Sequence, residues 1–199
     1  MTGCKKWLVD KAIASKLHYL RTGAYTYSNM YDPLVFGKIT ALLGGKVRFA
    51  LTASAPISGD VLEFLKIALC CPILEGYGMS ETCGAATITD ANDPVCGHVG
   101  GPIKAMKIRL KDLPEMEYLS TDKPYPRGEI CMQGTMIFNG YFQRPDKTKE
   151  TIIDGWLHSG DVGQIYPNGS IKIIDRSKNI FKLSQGEYLA PEKLENAYI

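Results

Sequence analysis

Within residues 4–20, Trp7, Leu8, Ala12, Ile13, Leu17 and Leu20 recur at near-helical spacing, and Gly23 supplies a stop. A second helix is predicted over residues 32–43. Asp32-Pro33 form a cap and first-position pair, Leu34, Val35, Ile39, Leu42 and Leu43 give the apolar positions, and Gly44-Gly45 close it. VRFALT (47–52) reads as a short strand, and Ser58 caps a third helix running to about Leu69. CPILEGYG (71–78) reads as a strand that runs into glycine. Helix, strand, helix, strand predicts a parallel α/β layer. In such layers ligands sit beyond the carboxyl ends of strands, where EGYGMSE falls.

After about Gly100 the pattern shortens. MKIRL, GEICMQG, VGQIY and SIKIID are brief apolar runs separated by Gly, Pro and Asp. VGQIY and IKIID flank Pro-Asn-Gly-Ser, a hairpin signature, so this half reads as an antiparallel β unit. A short helical piece over 144–152 interrupts it, and charge rises from Asp175 onward. The expectation is an α/β chain in three parts. Residues 1–100 form a parallel α/β subdomain, 101–175 an antiparallel, barrel-like β subdomain, and 176–199 begin a new, more charged segment.

Composition changes this picture little. The 199 residues are 45% hydrophobic and 22% charged, enough for a sizeable core. A net charge of +2 gives no electrostatic case for nucleic acid. The apolar runs fall short of a membrane span, and the N-terminus lacks the apolar stretch of a signal peptide. The 6 cysteines form no CxxC pair, so reduced thiols in a cytosolic compartment are expected rather than disulfides or a zinc site. The closing PEKLENAYI resembles the first turns of a helix, which suggests a piece of something longer.

Four groups can carry chemistry. In EGYGMSET (75–82), Tyr77 stands between two glycines. Either this is a tight turn, or a flat ligand stacks on the ring while Ser80 and Glu81 face charge. Asp161 follows Ser159-Gly160 and precedes VGQIY. It is a turn aspartate, or a carboxylate able to accept two hydrogen bonds from a ribose diol. Arg176 is a surface ion-pair residue or a fork of donors for hydroxyls and phosphates. Glu81 is a first-turn helix residue or, with phosphates beside it, a magnesium ligand.

The order of these motifs adds what none supplies singly. EGYGMSET, RGEICMQG, NGYFQRPDKT, DGWLHSGDVGQIYPNGSIKIIDRSK and FKLSQGEYLAPEKLE occur in sequence. Together they resemble the long-chain fatty-acyl-CoA synthetases of the adenylate-forming, AMP-binding superfamily, as does YDPLVFGKITALLGGKVRFALTASAPIS. The resemblance implies a ligase that joins a long-chain fatty acid to CoA through acyl-AMP, using ATP, Mg2+ and CoA. It matches Tyr77 to the adenine-stacking aromatic, with Gly76 and Gly78 leaving room. Ser54 and Ala55 (in TASAP), Glu75, Met79 and Ile173 join the nucleotide-binding set. Ser80 falls near the α-phosphate, Glu81 at the metal ligand, Asp161 at the ribose acceptor and Arg176 at the second ribose contact. Lys178 matches the hinge, and Gly186 and Glu187 a loop near the CoA channel. The resemblance further implies that residues 1–100 are the C-terminal half of an α/β adenine-binding subdomain and that 176–199 hold the hinge and the start of a small C-terminal α+β domain. Ser54 stands where the family more often has glycine.

The family's phosphate loop lies upstream of the matching region, and its C-terminal lysine would follow Ile199. The chain alone is therefore expected to hold half an active site, to be inactive by itself and to self-associate through uncovered surface. Membrane attachment is expected only through regions N-terminal to it, with the cytosol or the cytosolic face of the endoplasmic reticulum as location. A ligase for a smaller or aromatic acid, and a non-catalytic nucleotide-binding module, remain as alternatives.

Overall fold

A computed structural model describes residues 3–24, 28–182, 188–189 and 191. The chain divides into two compact units, Met1–Glu75 with Thr89–Gly97, and Gly76–Ile88 with His98–Ile199.

The first unit is built on helices α1 (Cys4–Arg21), α2 (Gly37–Leu42) and α3 (Gly59–Leu69) and the short strand β1 (Ala50–Thr52). Ala12, Leu20, Phe36, Ile67 and Ala68 form its main buried cluster. Ser58 caps α3 as its sequence position predicts, its hydroxyl accepting from the Val61 N–H at 3.3 Å. The single helix expected over 32–43 is instead a π-helical turn, Asp32–Phe36, running into α2. Lys16 is 1% exposed and its ammonium meets Asp32 at 2.8 Å, so the start of that turn is tied to α1. Phe36 points inward from it, whereas Leu34, Leu42 and Leu43 stay exposed. β1 is shorter than VRFALT, and its three residues pair in parallel with Ile73, Leu74 and Glu75 of β2 (Ile73–Met79).

The parallel layer is therefore a parallel pair, and the later part of β2 pairs differently in the second unit. There Gly76 and Tyr77 run antiparallel to Ile88 and Thr87 of β3 (Gly84–Ile88), and after a register shift Gly78 faces Ala85. A Cβ on Gly78 would lie 1.9 Å from the Gly84 carbonyl oxygen. Glycine is needed here for backbone-to-backbone approach. β4 (Gly101–Pro102) completes this side by pairing with β3.

The antiparallel half follows its sequence pattern closely. β5 (Met106–Lys111), β6 (Arg127–Gly134), β8 (Trp156–Ile165) and β7 (Ile152–Ile153) lie in the order β5-β6-β8-β7, and β9 (Ile171–Arg176) also pairs with β8. The predicted hairpin is β8–β9, closed by Ile165 opposite Ile171. The helical piece is α4, Pro145–Thr151. A short ladder of β10 (Phe181–Lys182) with β11 (Tyr188–Leu189) follows. The core of this unit gathers Ala86, Met106, Ile130, Met132, Leu157 and Ile171, with Tyr77 and Met79 packed against it.

Gly78→Ala should destabilise the protein by about 1–3 kcal/mol, because two backbones would have to part to admit the methyl. Urea unfolding checks this, and an unchanged midpoint would contradict the packing described.

Candidate functional site

The site in the second unit starts from a mismatch between two strands. Glu129 of β6 pairs with Val162 of β8, and Cys131 pairs with His158. Ile130 alone therefore faces Ser159, Gly160 and Asp161, which form a β-bulge. The expectation that Asp161 precedes its strand is corrected here: β8 begins at Trp156, and Asp161 lies within it.

A bulge takes backbone groups out of the ladder, and each needs another partner. The Gly160 N–H donates to Glu129 Oε1 at 3.1 Å, and the Asp161 N–H donates to Ser159 Oγ at 3.0 Å. Ser159 Oγ in turn donates to the Ile130 carbonyl at 2.7 Å. The Ser177 N–H donates to the Gly160 carbonyl at 2.8 Å, tying the bulge to the segment after β9. Gly160 has φ +71°, a conformation that favours glycine. Below the bulge, a Cβ on Gly163 would sit 2.6 Å from Ile130 Cδ1.

The bulge presents Asp161 to Tyr77. The tyrosine hydroxyl donates to Asp161 Oδ2 at 2.6 Å. Arg176, the register partner of Asp161 on β9, brings Nε to 3.6 Å from Oδ1. Burial pushes the Asp161 carboxyl above the usual carboxylate range, and the Tyr77 hydroxyl and Arg176 only partly offset it. Burial, then the charge of Asp161, raises the Tyr77 phenol. Ile173 pairs with Gly163 two positions before Asp175, a fully buried carboxylate that accepts from the Arg176 N–H. Lys178 is exposed in the turn after β9.

Ser80 and Glu81 lie in a single 3-10 turn, Ser80–Thr82, directly after β2. The Tyr141 hydroxyl donates to Glu81 Oε1 at 2.5 Å, and the Phe138 N–H donates to the Glu81 carbonyl at 2.9 Å. The hydrogen bond to Glu81 raises the Tyr141 phenol.

Three expected residues belong to the first unit. Ser54 (φ +73°) and Ala55 are exposed after β1. Glu75 is 8% exposed, and burial raises its carboxyl while Lys66 opposes that shift. Gly186 and Glu187 lie outside the described residues. The structure thus brings Tyr77, Asp161 and Arg176 together and sets Glu81 against Tyr141. Glu129, His158 and Tyr141 lie within the sequence motifs but are not among the expected site residues. For Glu129 the signal was available, since a carboxylate between Gly128 and Ile130 in an apolar run needs a buried partner.

A family model described as AMP-binding enzyme matches residues 9–142. Fatty acyl-CoA synthetase A of Dictyostelium discoideum is 50% identical over 98% of this chain, which spans 29% of that protein. The peroxisomal long chain acyl-CoA synthetase 7 of Arabidopsis thaliana is 51% identical over 98% of this chain and 28% of its own. The chain thus spans under a third of the length of the curated relatives it matches. Among solved structures, the A domain of carboxylic acid reductase from Segniliparus rugosus, in complex with AMP and a co-purified carboxylic acid, aligns with TM-score 0.73 and 33% identity. It covers 94% of this chain and 29% of that one. O-succinylbenzoate coenzyme A synthetase from Bacillus subtilis, in complex with ATP and magnesium ion, aligns with TM-score 0.67 at 21% identity, covering 94% and 39%. That likeness speaks to the fold alone.

A carboxyl that folding pushes up in pKa binds its proton more tightly in the native state. Its burial therefore costs stability above the ordinary carboxylate range and costs nothing below it. Asp161→Asn should raise the thermal midpoint of the nucleotide-free protein at neutral pH, with the gain vanishing at acid pH. Thermal scans across pH check this, and a gain that grew on acidification would contradict the burial argument.

Proposed function

We propose that this chain, which belongs to the AMP-binding enzyme family, carries the adenosine-binding part of an ATP-dependent long-chain fatty-acid–CoA ligase. The observation that carries the reading is the meeting of three residues of one unit, Tyr77 from β2 with Asp161 and Arg176 from the paired strands β8 and β9. The names and identities of the relatives support the substrate class. In this reading adenine stacks on Tyr77, an interaction worth roughly 1–3 kcal/mol. The ribose diol donates to Asp161 in place of the tyrosine hydroxyl, and Arg176 contacts the ribose from β9. A base stacked on a residue of β2 and a diol held from β8 fix where the α-phosphorus lies, which is the main demand of phosphoryl chemistry.

The reaction then has two displacements. A fatty carboxylate oxygen bonds to the α-phosphorus as the bond to pyrophosphate breaks, and the CoA sulfur next bonds to the acyl carbon as AMP leaves. Ser80 lies near the α-phosphate in this account. Glu81 is the residue that would hold Mg2+, since one carboxylate beside phosphate oxygens suits that ion. Bound there, the ion would neutralise phosphate charge. Ser54, Ala55, Glu75 and Met79 complete the nucleotide set, Lys178 serves as hinge, and Gly186 with Glu187 approach CoA. The division into an α/β part, a β part and a hinge segment near 176 belongs to the same proposal. So does a location in the cytosol or at a membrane's cytosolic face; no described helix is long and apolar enough to cross a membrane. The likeness to the reductase A domain favours a second reading, activation of another carboxylic acid class by the same residues.

ATP–pyrophosphate exchange by the complete natural protein, offered palmitate, acetate and coumarate, tests this. The expected result is fastest exchange with palmitate, cut on the order of 100-fold by Glu81→Ala. Fastest exchange with a smaller acid would support the second reading, and no exchange by the folded protein would reduce the chain to a binding module.

A further inference from the structure

Glu129 is a carboxylate 8% exposed in the middle of β6, and the proposed chemistry does not use it. Its two oxygens face two different donors. Oε1 accepts the Gly160 N–H at 3.1 Å. Oε2 lies 3.0 Å from His158 Nδ1, and because a carboxylate only accepts, that nitrogen carries the proton. His158 and Gly160 stand on the two sides of Ser159, so one side chain grips β8 across the start of the bulge. The next residue is Asp161. Its own N–H is held by Ser159 Oγ, and the Gly160 carbonyl by the Ser177 N–H one residue after Arg176.

The same three side chains could suggest a metal centre, since one ligand atom each from Glu129, Cys131 and His158 lies within 4.8 Å of the others. The surroundings oppose it. Lys111 Nζ lies 3.6 Å from Glu129 Oε2, where it repels a cation. Burial, then the charge of Glu129, pushes the Cys131 thiol up to about 11, which keeps it a neutral and poor ligand. The hydrogen-bonding reading accounts for both carboxylate oxygens and needs no further group.

We propose that Glu129 is a positioning residue that fixes the Ser159–Asp161 bulge and thereby the aim of the Asp161 carboxylate at the nucleotide ribose. This rests on the adenosine reading of Asp161 given above. A strand bulge has no ladder to hold it, so its geometry depends on side chains that take its stray donors. Glu129 supplies the acceptor for Gly160, and the His158 imidazole and Lys111 ammonium hold that acceptor in place.

The test is ATP–pyrophosphate exchange by the complete natural protein carrying Glu129→Met, Glu129→Asp or Glu129→Gln, each also combined with Asp161→Ala. Met fills the space without accepting, and Asp keeps the charge but is one methylene too short to reach both donors. Gln keeps an oxygen for Gly160, and its amide can donate to the other tautomer of His158. For Met and Asp, KM for ATP should rise about 10-fold while kcat stays within about 3-fold, and Gln should stay near wild type. In the Asp161→Ala background neither Met nor Asp should raise KM further, because the group they misplace is gone. If Met does not fold, the Asp variant gives the same comparison. Unchanged KM in a folded Met or Asp variant, or an equal rise with and without Asp161, would overturn the proposal. If Asp161→Ala itself left KM for ATP unchanged, the adenosine reading would fall first.

Discussion

The hydrogen bond from the Tyr77 hydroxyl to the Asp161 carboxylate, at 2.6 Å, joins the two strands on which the proposed nucleotide site depends. Neither partner can make it unaided. Tyr77 projects from a stretch of β2 that only glycine at position 78 allows against β3. Asp161 projects from a bulge that exists because Ile130 alone faces three residues of β8. Burial disfavours ionisation of both groups, which raises the Asp161 carboxyl and the Tyr77 phenol, and the bond between them satisfies a donor and an acceptor taken out of water. A ligand diol replacing the tyrosine hydroxyl would exchange one donor for two. In the proposed reading the acceptor would stay satisfied with and without nucleotide.

The two units solve different problems. The first places buried helical apolar residues around Phe36 and ties a π turn to α1 through a lysine ammonium that is almost wholly enclosed. A buried ion pair of this kind stabilises little in net terms, but losing one partner leaves a costly charge behind. Such pairs fix arrangement more than they add stability. The second unit fixes arrangement through register, because a strand paired on both edges cannot shift without moving its neighbours. β8 pairs with β6 on one side and with β7 and β9 on the other, which makes it a rigid mount for Asp161.

Much of this was legible in the sequence because local signals agreed with the global fold. The Ser58 cap, the Asn168-Gly169 hairpin and the α1 stripe each rest on chemistry confined to a few neighbouring residues. What escaped depends on distant partners. The apolar spacing in residues 32–43 fits a π turn as well as an α-helix, and the contact of Asp32 with Lys16, sixteen residues away, is not legible in that spacing. The parallel pairing expected from alternation is present between β1 and β2, but alternation does not indicate that β2 goes on from Gly76 to pair antiparallel with β3. The bulge at 159–161 could not be counted from one strand alone, since it is a difference between two registers. The apolar run around Glu129 signals that it needs a buried partner, but the partners themselves, Gly160 and His158, lie on another strand. β6 is buried on both faces from Gly128 to Met132, so period-two reading gives no wet side on which to place a carboxylate. Of the site residues that motif order suggested, Tyr77, Asp161 and Arg176 are gathered in the structure, and the bonds of Glu129 to the bulge beside them are visible only there.

The central claim is that Asp161 accepts the ribose diol beside the Tyr77 ring. Calorimetric binding of AMP and of its 2′,3′-dideoxy analogue to the complete natural protein, wild type and Asp161→Ala, tests it most directly. The account predicts that wild type favours AMP by about 1–3 kcal/mol and that the variant loses this preference. Equal affinity of wild type for the two nucleotides, or a preference that survives in the variant, would contradict it.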